Sequence, residues 1–275
     1  MGRSKKIGIF DSGLGGLFIL KSILKTLPDY DFIYLGDTKR VPYGNRSPET
    51  IYQFTKKAVE FLFSQNCQLI ILACNTASAQ ALRKIQRQYL PRLNPARRVL
   101  GVIIPTIEAT LESQNTDRIG ILATPSTVAS GTFVKEFKKA TAGRRTKIKV
   151  WQQAAPLLVP LVENSGQKFA EPIIKEYLAP LTAKKVEAIV LGCTHYPALK
   201  DRIRQVAGRN IVVISQDEII PGKLKDYLRR HKEIESKLQR QGKRIFFVTD
   251  MTRDFQTTAR RWLGKKISLK LIDLD

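Results

Sequence analysis

Short apolar runs and longer amphipathic stretches alternate along almost the whole chain. Ile7-Gly8-Ile9-Phe10 is a short apolar strand closed by Asp11, and Leu17 to Leu27 follows with apolar residues at helical spacing, stopped by Pro28. Phe32-Ile33-Tyr34-Leu35 is a second strand, ending in Gly36-Asp37. After a loop through Pro42-Tyr43-Gly44-Asn45, Ser47-Pro48-Glu49 predicts a helix start, with Ser47 as cap and Pro48 at the first helical position, running to about Gln65. Leu69 to Ala73 is the third strand, and Ala77 to Tyr89 the next helix. This βαβα series predicts a parallel sheet with helices on its faces.

A Pro-rich, basic connection from Pro91 to Arg98 intervenes, and the series restarts. Strands are expected at Val99 to Ile104, Ile119 to Leu122, Lys147 to Trp151 and Ala188 to Leu191. Helices are expected from about Thr106, Ser126, Phe169 and Ala198. Gly208-Arg209-Asn210 is a second break. After it come a strand at Ile211 to Ile214, a long helix, a strand at Ile245 to Val248 and a final helix near Phe255 to Leu263. Ile7-Gly8-Ile9-Phe10-Asp11-Ser12 resembles Ile119-Gly120-Ile121-Leu122-Ala123-Thr124, and the offset between them is close to that between Cys74 and Cys193. Two copies of one α/β unit account for both offsets, although buried parallel strands resemble each other for generic reasons.

The 275 residues allow two domains of ordinary size, and 43% hydrophobic with 26% charged residues is a globular composition. The longest apolar stretches, such as Leu157-Leu158-Val159-Pro160-Leu161-Val162, are too short to span a bilayer. Met1-Gly2-Arg3-Ser4-Lys5-Lys6 is a basic start with no apolar signal core behind it, and Lys6 breaks the myristoylation pattern. A cytoplasmic protein without membrane contact is the expectation. Three cysteines are not a disulfide framework, and a zinc site built from Cys74, Cys193, His195 and His231 lacks paired local spacing. The 47 Lys and Arg against 24 Asp and Glu give a net charge of +23. These charges are spread over many segments, and no nucleic-acid module accompanies them. A solvated basic surface is the favoured reading, with a polyanion partner as its rival.

Three segments carry candidate chemistry. Phe10-Asp11-Ser12-Gly13-Leu14-Gly15-Gly16 is a glycine-rich turn from strand to helix, and Asp37 sits where a ribose-binding acid would. The glycine spacing is not that of a dinucleotide fingerprint, and Asp11 would repel a pyrophosphate but attract an ammonium. An amino acid presents both an ammonium and a carboxylate; Asp11 as a plain helix cap is the alternative. Cys74-Asn75-Thr76 puts a thiol at a helix start beside two neutral donors, against the alternative of an inert buried cysteine. Cys193-Thr194-His195-Tyr196-Pro197 puts a histidine within one turn of a thiol. A cysteine hydrolase would need only one of these thiols. Cys67 has no comparable neighbours, and His231 lies in a basic, solvated run. Together the pieces suit removal of the α-proton of an amino acid, since inversion needs an acid and a base on opposite faces and a pseudo-symmetric protein can supply a cysteine for each.

These motifs, with Gly36-Asp37-Thr38-Lys39-Arg40-Val41-Pro42-Tyr43-Gly44 and Pro156-Leu157-Leu158-Val159-Pro160-Leu161-Val162-Glu163, are similar to those of the cofactor-independent glutamate racemases of the aspartate/glutamate racemase family, in the family's order and over most of the chain. The resemblance implies two pseudo-symmetric α/β domains, each with a parallel sheet, and an active site between them. It implies interconversion of L- and D-glutamate for peptidoglycan synthesis and cell-wall biogenesis, without a cofactor or metal. Cys74 would take the α-proton of D-glutamate and Cys193 that of L-glutamate, assisted by Asp11, Glu163 and His195. Asp11, Ser12, Tyr43, Gly44, Asn75, Thr76, Thr124, Thr194 and His195 would hold the substrate. The first domain would comprise 1–98 and 211–275, the second 99–210, and a homodimer is left open. Another amino acid such as aspartate is the alternative substrate, and an added nucleic-acid role is an alternative suggested by the charge. Ile214-Ser215-Gln216-Asp217 departs from the family pattern at Gln216, where a small residue is expected, so this segment stays outside the implied site.

Overall fold

The computed structural model describes residues 5–93, 95–113, 116–143, 147–264 and 267–274. The basic start at 1–4, Arg144 and Arg145, and Lys265 and Lys266 lie outside the described residues. Among the described residues ten strands run β1 (Lys6–Asp11), β2 (Phe32–Gly36), β3 (Cys67–Leu72), β4 (Arg98–Gly101), β5 (Arg118–Ala123), β6 (Lys149–Ala154), β7 (Ala188–Gly192), β8 (Val212–Ile214), β9 (Arg244–Val248) and β10 (Leu269–Leu271). They form two parallel sheets. The first has six strands in the order β10-β9-β2-β1-β3-β4, and the second has four in the order β6-β5-β7-β8. Numbered within each half, β2-β1-β3-β4 and β6-β5-β7-β8 are the same winding, 2-1-3-4. The internal repeat read from the sequence therefore has a topological counterpart: β1 corresponds to β5 and β3 to β7.

Helices cover both faces of each sheet, so the central strands are apolar throughout rather than alternating. Local signals set several helix ends. Ser47 accepts from the Thr50 N–H at 3.3 Å, with Pro48 in the first turn of the helix Pro48–Ser64. Thr124 likewise caps the helix Pro125–Ser130, which Gly131 ends in the left-handed region at φ 62°. One apolar cluster runs from the first sheet (Ile7, Ile9, Ile71) into the second (Leu122, Ile189, Leu191), so the halves share a core.

Several boundaries differ from the sequence expectation. The run Val99 to Ile104 divides, with β4 ending at Gly101 and Ile103 already in the helix Ile103–Ser113. A short apolar run does not distinguish a buried strand from a buried helix start. The helix expected over Ala77 to Tyr89 begins at Asn75, breaks at Ala81 and continues through a π-helical turn at Ile85–Tyr89. Leu158–Glu163 is a short helix and β10 an edge strand, neither of them expected. The sheets also divide differently from the 98/99 and 210/211 boundaries. β4 pairs with β3 in the first sheet (Leu72 opposite Gly101), while β8 pairs with β7 in the second (Val190 opposite Ile214). The composition breaks at 91–98 and 208–210 lead into the fourth strand of each winding, β4 or β8, and do not coincide with the division between the sheets. No helix among the described residues is long and apolar enough to cross a membrane.

Candidate active site

In a 2-1-3-4 sheet the winding reverses between strands 1 and 3, and the crevice beyond their C-terminal ends is where open α/β sheets bind ligands. Both halves use that place. Asp11 ends β1 and Cys74 follows β3; Thr124 follows β5 and Cys193 follows β7. The two crevices face each other, and one cleft is lined by Ser12, Tyr43, Cys74, Asn75, Cys193 and His195 together with neighbouring loop residues.

Cys74 is the cap of the helix Asn75–Gln80, its Sγ accepting from the Ala77 N–H at 3.5 Å. The Ser12 hydroxyl lies 3.2 Å from the same sulfur. Burial pushes this thiol up to about 12, the nearby Asp11 carboxylate and Cys193 add to the rise, and the hydrogen bonds from Ser12 and Ala77 oppose it. Before any ligand enters, Cys74 is therefore a protonated thiol whose conjugate base is strong.

Cys193 faces the cleft from the other half, with its Sγ 3.9 Å from His195 Nδ1. The opposite ring nitrogen, Nε2, lies 3.0 Å from Glu163 Oε1. Burial disfavours the imidazolium, but the hydrogen bonds and charges of Cys193 and Glu163 outweigh it and hold His195 well above its ordinary value. Glu163, the last residue of the helix Leu158–Glu163, is outside the cleft lining and reaches the chemistry only through His195. Trp262 closes the other side of the imidazole edge-on, with ring centroids 6.2 Å apart.

Asp11 is fully buried, just behind the residues that line the cleft. Its carboxylate is covered by the Thr194 hydroxyl at 3.0 Å and the Gly13 N–H at 3.1 Å. Burial raises its pKa, while the His195 charge and these donors pull it back. Thr194 comes from the second half, so this hydrogen bond ties the two strand ends together. The glycines of the turn are explained by crowding. A Cβ on Gly15 would stand 2.6 Å from His195 Nδ1 and 2.7 Å from Thr194 Oγ1, and one on Gly16 would stand 2.6 Å from Asp11 Cβ. Gly15→Ala is expected to cost about 1–3 kcal/mol of stability through overpacking and to lower turnover, because His195 and Thr194 must give way. Denaturant unfolding and an activity assay check this; unchanged stability and turnover would show that the loop has slack.

Three threonines bridge the halves beside Cys74. Thr76 Oγ1 lies 2.9 Å from Thr124 Oγ1 and 3.3 Å from Thr127 Oγ1. Tyr43 donates to Asp37 Oδ2 at 2.5 Å, and Asp37 also takes Arg40 and Thr249, so it anchors the Tyr43 loop and is closed to a ribose. Gly44 lies against Thr124, where a Cβ would meet the threonine Cβ at 3.0 Å. The sequence reading missed Gln216. It is buried and pairs with Asn75 through two hydrogen bonds, Asn75 Nδ2 to Gln216 Oε1 at 2.7 Å and Gln216 Nε2 to Asn75 Oδ1 at 2.9 Å. Its place, just beyond the C-terminal end of β8, was the available signal.

The remaining candidates lie elsewhere. Cys67 is fully buried in β3, and burial pushes its thiol up to about 12. His231 stacks on Tyr227 and lies 3.2 Å from Glu233, outside the cleft lining, so it does not complete a ligand set with the cysteines.

Comparison with known proteins agrees with this geometry. A family model described as Asp/Glu/Hydantoin racemase matches residues 15–218. A glutamate racemase of Ruegeria sp. strain TM1040 is 41% identical over 240 residues, covering 83% of this chain and 87% of the relative. A glutamate racemase from Bacillus anthracis superposes with a TM-score of 0.88 at 32% identity over 99% of each chain. One from Francisella tularensis, solved in complex with D-glutamate, gives 0.87 at 31% identity over 99% of this chain and 98% of that one.

Proposed function

The chain belongs to the Asp/Glu/hydantoin racemase family, and we propose that it interconverts L- and D-glutamate by moving the α-proton between Cys74 and Cys193, with no cofactor. The observation that carries this reading is the pair of thiols at equivalent strand ends of two equally wound sheets, lining one cleft. The D-glutamate formed supplies peptidoglycan synthesis.

The Cα–H of an amino acid is a very weak acid, so its removal needs a strong base held close. Cys74 meets the first requirement through burial. The cost is that little thiolate exists in the empty cleft, and a bound ammonium group supplies the missing positive charge, favouring the thiolate next to Asp11. On the opposite face Cys193 hands over or accepts a proton beside His195, which Glu163 keeps charged and oriented. In one direction Cys74 is the base and Cys193 the acid; in the other the roles exchange. Asn75 and Thr76 are neutral donors suited to the α-carboxylate, as is the Thr194 backbone N–H, the Thr194 hydroxyl proton being given to Asp11, and neutral donors leave the Cα–H acidity of the ammonium form intact. Ser12, Tyr43, Gly44 and Thr124 line the rest of the cleft and hold the side chain. Asp11 acts from behind this lining, on the charge of Cys74 and on the position of Thr194.

A substrate panel followed by circular dichroism tests the assignment. Glutamate is expected to turn over fastest from either enantiomer, with no added pyridoxal or metal; faster turnover of aspartate would overturn the substrate.

A further inference from the structure

Asn75 carries an amide whose two ends differ chemically, and a carboxylate is bound by the Nδ2 end and repelled by the Oδ1 end. Something must fix which end faces the cleft. Thr106, fully buried in the helix Ile103–Ser113, donates its one hydroxyl proton to the Val102 carbonyl at 2.6 Å. It can therefore only accept from Gln216, whose Nε2 lies 3.2 Å away. This orients the Gln216 amide, with nitrogen toward Thr106 and Asn75 Oδ1, and oxygen toward Asn75 Nδ2. Asn75 Oδ1 is thereby engaged by Gln216, and Nδ2 keeps one proton unspent at a residue that lines the cleft.

We infer that Gln216 is a positioning residue for substrate binding: through the relay Val102, Thr106, Gln216, it locks the Asn75 amide with its N–H toward the substrate carboxylate. This rests on the racemase reading of the cleft. It also couples the halves, since Gln216 follows β8 of the second sheet and Asn75 follows β3 of the first. A small residue at 216 would leave Asn75 free to rotate.

The test is the KM for glutamate in Gln216→Met, Asn75→Ala and the double variant, with kcat followed alongside. Gln216→Met is expected to raise KM about tenfold, the size of losing one hydrogen bond to a charged group, with a smaller change in kcat. In the Asn75→Ala background the same substitution is expected to change KM by less than about twofold, because there is no amide left to orient. If Gln216→Met does not fold, Thr106→Val carries the test, with an expected KM rise of about threefold that likewise disappears when Asn75 is alanine. An unchanged KM, or an equal rise in both backgrounds, would overturn the assignment and leave Gln216 a packing residue. Wild-type enzyme that leaves glutamate unconverted would instead strike the racemase reading itself.

Discussion

Cys74→Ala and Cys193→Ala are each expected to lower racemisation by about 10²–10⁴-fold, the contribution of a positioned acid or base. The loss should appear in both directions, because each thiol is the base for one enantiomer and the acid for the other. Enantiomers have equal free energy in solution, so kcat/KM must fall by the same factor from L and from D. Each variant should nevertheless keep one activity. Cys193→Ala retains Cys74 and should exchange the α-hydrogen of D-glutamate with solvent without inverting it; Cys74→Ala should do the same for L-glutamate. Racemisation within about tenfold of wild type in either variant would remove that thiol from the reaction. The substitutions leave the hydrogen-bonded frame of Asp11 with Thr194 and of Asn75 with Gln216 intact, so melting serves as the control for folding.

The second large effect concerns His195 and Glu163. His195→Gln is expected to lower kcat/KM about 10²-fold, equally in both directions for the reason above. The individual kcat values should split, with the larger loss where Cys193 takes the proton. Glu163→Gln separates charge from position. The Glu163 carboxylate raises His195, so its removal should move the alkaline limb of the kcat/KM profile to lower pH. The same charge appears in stability. A histidine whose folded value is raised contributes stability fully present below its unfolded value of about 6.5 and lost as pH rises through the folded one. Wild type should lose stability over that window, and Glu163→Gln should lose it over a narrower window. Identical pH profiles for the two proteins would show that Glu163 does not control His195.

The parallel-sheet architecture and the cysteines' places at strand ends were legible because they depend on local pattern. Apolar runs closed by Asp11, Cys74, Thr124 and Cys193 mark strand ends whatever the tertiary context. Ser47 with Pro48 announces its helix for the same reason. What escaped depends on partners distant in sequence. No local signal says that Val99 to Ile104 changes from strand to helix midway, or that β4 and β8 close their sheets beyond the composition breaks. The hydroxyl that holds Asp11 comes from Thr194, far along the chain. Gln216 looks like a departure from a pattern until Asn75 and Thr106 are seen on either side of it. The glycines of the Gly13 to Gly16 turn invited a nucleotide, whereas Gly15 leaves room for His195 and Thr194 and Gly16 for Asp11.

The central claim is that two different thiols handle the proton, and the isotope pattern at early time in deuterated water tests it most directly. A thiol exchanges its single proton with solvent, so the one that protonates the product delivers deuterium while the other removes protium. Starting from unlabelled D-glutamate, the L-glutamate first formed is expected to carry deuterium at Cα, with the unconverted D-glutamate still protiated. L-glutamate that retains the original protium, or D-glutamate labelled as fast as product forms, would mean that one group serves both faces and would contradict the account.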